Sequence, residues 1–314
     1  MTLFVMLDQP IVAKLGAPRR ILLAGCGGGY DVLGAIPLAH ALRAEGREVH
    51  FASLSFSYLN GLDAAQDPEH PNLYAVTAAA RSEHKYCPEA WLAHWLDRTG
   101  GSHTVWSFDK TGVRPLAAAY RALVARLAID AIILVDGGID AVLRGDETSL
   151  GTPSEDLASL AAATSLGVPT ALACVGLSAE LRDGIPHAQV FERFAELSRA
   201  GAYWGACALV QGTPACTDYL DAVEAVFAGQ QHMKQSHVHK VVALAARGEF
   251  GSPAPHVWLS PLLSMFWFFD AHAVAGSHQF LAGLHDTDSI WEVAARVEAA
   301  RKDLAIRARE SIPI

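Results

Sequence analysis

Short apolar runs alternate along most of this chain with longer segments in which apolar residues recur every three or four positions. The runs have the length of strands buried on both faces, and the longer segments have the period of amphipathic helices. The pattern predicts strands at Ile21–Ala24, Val49–Leu54, Leu73–Val76, Ala131–Val135, Thr170–Val175 and Ala208–Gln211. It predicts helices at Val32–Ala44, Pro115–Leu127, Ser154–Ser165, Gln189–Ala200, Thr217–Ala228, Val238–Ala246 and Asp288–Glu310. The alternation is typical of an α/β fold: a doubly wound, mostly parallel, Rossmann-like sheet with a long C-terminal helix.

The organisation of the chain favours one domain over residues 1–314, because no linker, repeat or low-complexity tract interrupts it. Residues 63–112 break the pattern with several prolines and predict a lid-like excursion over the strand ends. The apolar run Val257–Phe269 is too short to cross a bilayer and predicts a core segment.

Composition narrows the class of partner. Of the 314 residues, 51% are hydrophobic and 18% are charged, which argues against disorder. The net charge of −9 argues against nucleic acid or an anionic membrane as the partner. The five cysteines are odd in number and form no C-x-x-C pair, which favours a reducing, cytoplasmic setting. The expected partner is a small anionic metabolite, with homo-oligomerisation left open.

The segment 25–31 packs glycines between the first strand and its helix. Backbone N–H groups at such a helix N-terminus suit a phosphate or carboxylate, and glycines let the ligand approach. Ser53, on the second strand, is a further candidate for a phosphate or hydroxyl contact. The predicted cofactor-binding residues of the turn are Gly25, Gly27, Gly28, Gly29, Tyr30 and Asp31.

The identity of the ligand stays open at this turn. A dinucleotide fingerprint needs a third glycine or alanine where Tyr30 stands, and the ribose-binding acid after the second strand is missing. A methyltransferase motif that binds S-adenosylmethionine usually has an acid where Leu23 stands. A tight turn without a ligand, and Asp31 as a simple helix cap, are the structural alternatives. A nucleotide, a dinucleotide and S-adenosylmethionine therefore all remain candidates.

A second constellation follows the middle strand, where six carboxylates and one arginine lie between Asp136 and Asp156. Asp136 ends its strand, so it should face the same crevice as the glycine turn. Asp136 and Asp140 are candidates for acid–base chemistry or for binding Mg²⁺, and Gly137 and Gly138 again permit close approach. Glu155 and Asp156 are interpreted as acids that complement a helix dipole. The other candidate catalytic residues are Asp146, Glu147 and His237, and Asp270 is a candidate for the far wall.

Several motifs in the same order resemble the domain-of-unknown-function family numbered 1152. They are Gly25-Cys-Gly-Gly-Gly-Tyr-Asp-Val-Leu-Gly-Ala, Asp136-Gly-Gly-Ile-Asp with Gly145-Asp-Glu, Gly151-Thr-Pro-Ser-Glu-Asp-Leu and Leu259-Ser-Pro-Leu-Leu-Ser-Met-Phe-Trp-Phe-Phe-Asp. The resemblance spans residues 18–305 and implies one α/β unit. It implies no reaction and no catalytic residue.

The residues together favour an enzyme of unassigned reaction that acts on a small anionic, nucleotide-like or phosphorylated metabolite. Asp-based acid–base or metal-assisted chemistry would occur beside the glycine turn. An S-adenosylmethionine-dependent methyltransferase and a non-catalytic nucleotide sensor are the alternatives.

Overall fold

The computed structural model describes residues 11–80, 85–100, 103–254 and 257–309. A mixed sheet forms its centre, and a separate two-stranded hairpin consists of β9 and β10. The strands are β1 (Arg20–Gly25), β2 (Glu48–Leu54), β3 (Ala65–Gln66), β4 (Leu73–Val76), β5 (Val105–Phe108), β6 (Ala131–Asp136), β7 (Thr170–Val175), β8 (Tyr203–Ala208), β9 (Gly251–Ala254), β10 (Val257–Leu259) and β11 (Met265–Asp270).

The order of the strands in the large sheet is β3-β4-β5-β2-β1-β6-β7-β11-β8. The five strands from β5 to β7 pair in parallel, while β4 and β11 run antiparallel to their neighbours. The chain leaves β1 towards β2, and β6 then lies on the opposite side of β1. The carboxyl ends of β1 and β6 therefore meet at a switch point, where ligands of open α/β sheets bind.

Helices cover both faces of the sheet because its central strands are apolar on both sides. Leu22 and Leu134 face one buried cluster with α4, α5, α6, α9 and α10, whereas Leu23 and Val135 face another with α1, α2, α3, α7 and α8. The helices are α1 (Ile11–Lys14), α2 (Ala35–Ala44), α3 (Pro88–Gly100), α4 (Val113–Leu127), α5 (Pro153–Thr164), α6 (His187–Arg199), α7 (Pro214–Gly229), α8 (His237–Ala246), α9 (Ala271–Gly276) and α10 (Ile290–Lys302).

The predicted fold class is confirmed, with three differences in its elements. The strand predicted at Ala208–Gln211 is β8, which lies upstream at Tyr203–Ala208. The core run after Leu259 contains β11, a strand of the main sheet. Residues 63–112 supply β3, β4, α3 and β5, so much of this segment belongs to the sheet and its cover. A lid role for it stays a prediction.

The long C-terminal helix is present but shorter than predicted. Ser289 caps it by accepting the Glu292 N–H at 3.2 Å, and the Glu292 carboxylate accepts the Asp288 N–H at 2.6 Å. The helix ends at Lys302, and the Arg307 N–H then donates to the Asp146 carbonyl at 2.9 Å. This contact attaches the segment after α10 to Asp146. Glu310, the predicted end, lies outside the described residues.

Within the described ranges, no helix has the length and apolar character that crossing a membrane requires.

Candidate functional site

A cleft of about 640 Å³ opens at the switch point, above the carboxyl ends of β1 and β6. It contains eight of the predicted site residues: Gly27, Gly28, Tyr30, Asp31, Asp136, Gly137, Asp140 and His237. Residues that the sequence reasoning did not assign to it also line the cleft: Phe56, Tyr86, Gly151, Thr152, Asp156, Glu180, Asp183, Lys234, Gln235, Ser236 and Val238. The structure therefore places Gly27, Gly28 and Asp136 in one cleft, and a role of these residues in binding stays a prediction.

The glycine turn reverses the chain sharply after β1. The Cys26 N–H donates to the Val135 carbonyl at 2.8 Å, which extends the contact between β1 and β6. Gly28 then adopts a φ of +101°, a left-handed conformation that side chains strongly disfavour. The chain turns here towards Asp31 and α2.

The backbone N–H groups of this turn bind a carboxylate of the protein itself. The Gly27 N–H donates to Asp31 Oδ2 at 2.7 Å, and the backbone of Gly28 and Gly137 also hydrogen-bonds to Asp31. Gly27 is needed for space, because a Cβ there would lie 2.1 Å from Asp156 Oδ1. The glycines thus make room for internal carboxylates, whereas the sequence predicted that they admit a ligand anion.

Five carboxyl groups, which we call the carboxyl cluster, form the floor of the cleft. Asp136 and Asp156 are each 2% exposed, and Asp140 and Glu180 are each 8% exposed. Backbone donors anchor four of the five: Asp31 accepts the Gly27 N–H at 2.7 Å, Asp136 accepts the Ala141 N–H at 3.3 Å, Asp140 accepts the Thr152 N–H at 2.8 Å, and Glu180 accepts the Ile139 N–H at 2.7 Å. The members of the carboxyl cluster are Asp31, Asp136, Asp140, Asp156 and Glu180.

Burial raises the pKa of every member of the carboxyl cluster. For Asp31 the result is a pKa of about 7, although the Gly27 N–H lowers it. Burial raises the pKa of Asp136 well above its ordinary value, and the charges of Asp140 and Asp31 raise it further. Burial also raises the pKa of Asp156 and of Glu180 well above their ordinary values, and Asp140 adds to both. Protons or a cation must therefore compensate the cluster.

Three of these carboxylates have the arrangement of a cation site. One oxygen each from Asp31, Asp136 and Asp156 lies within 4.8 Å of the other two. Oxygens that bind a common Ca²⁺ at about 2.4 Å lie about 3.4 to 4.8 Å apart, and those around Mg²⁺ lie slightly closer. Asp156 Oδ2 is also buried without a hydrogen-bond partner in the part of the chain that the structure describes. The predicted metal pair was Asp136 and Asp140, so the triad keeps Asp136 and adds Asp31 and Asp156.

The structure does not bring Asp146 and Glu147 to the cleft. Glu147 Oε1 accepts from Arg307 Nη2 and from the Arg144 N–H, each at 2.9 Å, and Asp146 pairs with the same two arginines. The prediction that these acids line the crevice is therefore wrong. They attach the segment after α10 to the rest of the molecule.

Ser53 and Asp270 also lie elsewhere. The Ser53 hydroxyl is fully buried and donates to Glu89 Oε1 at 3.0 Å. Asp270 ends an antiparallel strand, opposite Ala171 at the start of β7, so it lies at the other edge of the sheet. There it caps α9 by accepting from the His272 and Ala273 N–H groups.

Three predicted glycines lie behind the lining of the cleft. A Cβ at Gly25 would lie 2.9 Å from Val32 N, one at Gly29 would lie 2.4 Å from the Tyr86 hydroxyl, and one at Gly138 would lie 2.8 Å from the Glu180 carboxyl. Direct contact of these glycines with a ligand stays a prediction.

The family model described as "Protein of unknown function (DUF1152)" matches residues 69–302. The chain belongs to the DUF1152 family. The DUF1152 match includes Asp136, Asp140, Asp156 and Glu180, and it begins after the glycine turn. No curated protein matches the chain. Among solved structures, SsfS6, a glycosyltransferase from Streptomyces sp. SF2575, aligns with a TM-score of 0.23 and 18% identity. The alignment covers 58% of this DUF1152 protein and 46% of SsfS6, a likeness too low to indicate a reaction.

Proposed function

We propose that this protein is an enzyme that acts on a small phosphorylated or nucleotide-like metabolite with the assistance of a divalent cation. Asp31, Asp136 and Asp156 would bind the cation. The observation that carries the proposal is the buried Asp156 carboxyl group: its Oδ2 lacks a hydrogen-bond partner among the described residues, and one of its oxygens lies within 4.8 Å of an oxygen of Asp31 and of Asp136. An oxygen in such a position is costly unless a proton or a cation satisfies it.

The charge of the cleft supports a cation as the link to an anionic substrate. Five carboxyl groups form its floor, and Lys234 is the one lysine or arginine in the described lining. The N–H groups of the glycine turn already bind Asp31. A phosphate would meet repulsion at this floor, whereas a divalent cation would attract the carboxylates and the phosphate alike.

The chemistry proposed follows from these neighbours. A bound divalent cation polarises a phosphoryl oxygen and lowers the pKa of a bound water. Asp140 and Glu180 adjoin the proposed metal ligands and would exchange protons with the reacting groups. His237 lines the same cleft and is the other candidate acid or base.

The first experiment separates metal binding from the helix-dipole role that sequence reasoning assigned to Asp156. Asp156→Asn removes the proposed ligand, whereas the matched control Glu155→Gln changes the neighbouring acid in the same first turn of α5. Titration of Mg²⁺ or Mn²⁺ by calorimetry should give one site in the parent and in Glu155→Gln. Affinity in Asp156→Asn should fall at least about tenfold, or about 1.4 kcal/mol in binding free energy.

The second experiment tests catalysis. A panel of phosphomonoesters and nucleoside diphosphates, assayed with and without Mg²⁺, should reveal turnover that chelation and Asp156→Asn both abolish. Equal metal binding by the parent and Asp156→Asn would contradict the metal site. Stabilisation by S-adenosylmethionine without a metal would favour the methyltransferase alternative. Metal-dependent nucleotide binding without turnover of any compound would favour the sensor and contradict an enzyme.

A further inference from the structure

The first turn of α8 forms a wall of the cleft. The five residues 234–238 all line it, and α8 begins at His237. Val238 packs against the end of β7, since its Cγ1 lies 2.6 Å from the position of a Cβ on Gly176. Ser236 caps the helix, and its hydroxyl accepts the His239 N–H at 3.2 Å. The N-terminus of α8 is therefore fixed at the carboxyl edge of the sheet.

This wall has the opposite electrostatic character to the floor. The first N–H groups of a helix lack acceptors within the helix, and its dipole places partial positive charge there. Lys234 adds a full positive charge two residues before the cap, and it makes no ion pair with any described residue. Such a wall favours an anion.

The floor of the cleft supplies a second feature that favours a bound ligand. The floor contains the buried Asp156 Oδ2, which has no partner within the described ranges. A cation held by Asp31, Asp136 and Asp156 would leave coordination positions open towards the cleft, because the triad supplies three ligands and Mg²⁺ usually takes six. The remaining positions suit water and the oxygens of a phosphate.

We propose that the phosphate of the substrate binds between this cation and the N-terminus of α8, with Lys234 as its charged partner. The inference rests on the proposed function, and it moves the anion site from the glycine turn to α8. It also sets an order: the phosphate binds only after the cation, because the cation supplies the positive charge and the open coordination positions that the phosphate takes.

Inorganic phosphate is the probe, titrated by calorimetry into the full chain with and without saturating Mg²⁺. The test variant is Lys234→Ala, and Lys240→Ala is the matched control because Lys240 is exposed on the same helix outside the cleft. We expect phosphate to bind only when Mg²⁺ is present. In Lys234→Ala the affinity for phosphate should fall about tenfold, because a charge-assisted contact is lost. Lys234→Arg should restore it, and Mg²⁺ affinity should stay within about twofold in all three variants.

Two results would overturn the inference while leaving the proposed function in place. One is phosphate binding of equal strength without Mg²⁺, and the other is equal phosphate binding by Lys234→Ala and the parent. Mg²⁺ binding that is absent, or unaffected by Asp156→Asn, would instead refute the proposed function and this inference with it.

Discussion

Replacement of a buried carboxyl by its neutral isostere should stabilise this protein when no metal is bound. Asp156 is 2% exposed, and burial raises its pKa well above the ordinary value. Between the pKa of Asp156 in the unfolded chain and its raised pKa in the native protein, the unfolded chain has ionised this group whereas the native protein retains its proton. The native state then binds one proton more than the unfolded state, so stability falls as pH rises from the unfolded pKa towards the folded pKa.

The size of this effect follows from proton linkage. One retained proton lowers the free energy of unfolding by about 1.4 kcal/mol for each pH unit, or by about 3 kcal/mol over two pH units between the unfolded and the folded pKa. Asp156→Asn removes this loss, and the Asn amide still offers a donor to Asp140, which hydrogen-bonds to the Asp156 side chain. As pH rises, the melting temperature of the variant should therefore increase relative to that of the parent. The expected difference is about 6 °C, because 1 kcal/mol corresponds to about 2 °C in a protein of this size.

The assay is urea or thermal unfolding in a chelating buffer at several pH values across this range. His239, whose pKa burial lowers to about 4, contributes equally to the parent and the variant and cancels from their difference. Asp221→Asn, an exposed change on α7, should show no such slope. Added Mg²⁺ should reverse the order, because it stabilises the protein that binds it. A variant that is less stable than the parent at every pH, with no slope, would refute the reasoning.

Two further changes test the surroundings of the site. Gly27→Ala should lose metal binding and stability, because its Cβ would lie 2.1 Å from Asp156 Oδ1. The control Gly276→Ala should bind metal as the parent does, because a Cβ there meets nothing within 4 Å. Calorimetry measures metal binding by both variants, and thermal melts measure their stability. Glu147→Gln should instead destabilise the fold by about 1.5 kcal/mol, since it removes the charge of a fully buried acid that bonds to Arg307, while Asp146 keeps its ion pair with that arginine; metal affinity should be unchanged. Urea unfolding measures the loss, and a fall in metal affinity would contradict the assignment of Glu147 to architecture.

The central strands were predictable because each is apolar on both faces, and each is long enough to form a recognisable run of apolar residues. Thr170–Val175 has the predicted bounds, and β6 extends the predicted Ala131–Val135 by one residue. By contrast, β5 has four residues, and the hydroxyl of Ser107 bonds back to Val105 within the same strand. Its local sequence therefore carries little strand signal. β11 was recognised as apolar, but its direction depends on partners far away in the chain, and so the position of Asp270 was predicted at the wrong edge.

The site was predictable as far as strand ends determine it. Gly27, Asp31 and Asp136 follow parallel strands that adjoin at the switch point, so topology alone brings them together. The same argument applies to Glu180, which follows the end of β7 and was not considered. Asp156 was assigned to the helix dipole because that local explanation was sufficient, although the helix begins at the same edge.

Charge clustering along the chain was the misleading signal. Asp146 and Glu147 are close in sequence to Asp140, yet Arg307 neutralises both from more than a hundred residues away. No local pattern identifies such a partner. The distinction between a carboxylate that an arginine neutralises and one that needs a cation therefore appears only in three dimensions.

The position of β11 has a consequence for how the molecule assembles. This strand lies between β7 and β8, although it is synthesised more than fifty residues after β8. A nascent chain that has not reached Asp270 can form the sheet from β5 to β7. β8 cannot yet join this sheet, because its neighbour β11 has not been synthesised. The outer edge of β7 then stays open to pairing with other chains during translation. Closure of that edge also joins residues distant in sequence, which makes it a slow, late step. The half of the sheet that bears the cleft can thus form during synthesis, whereas β11 and β8 can join the sheet only after β11 has been synthesised.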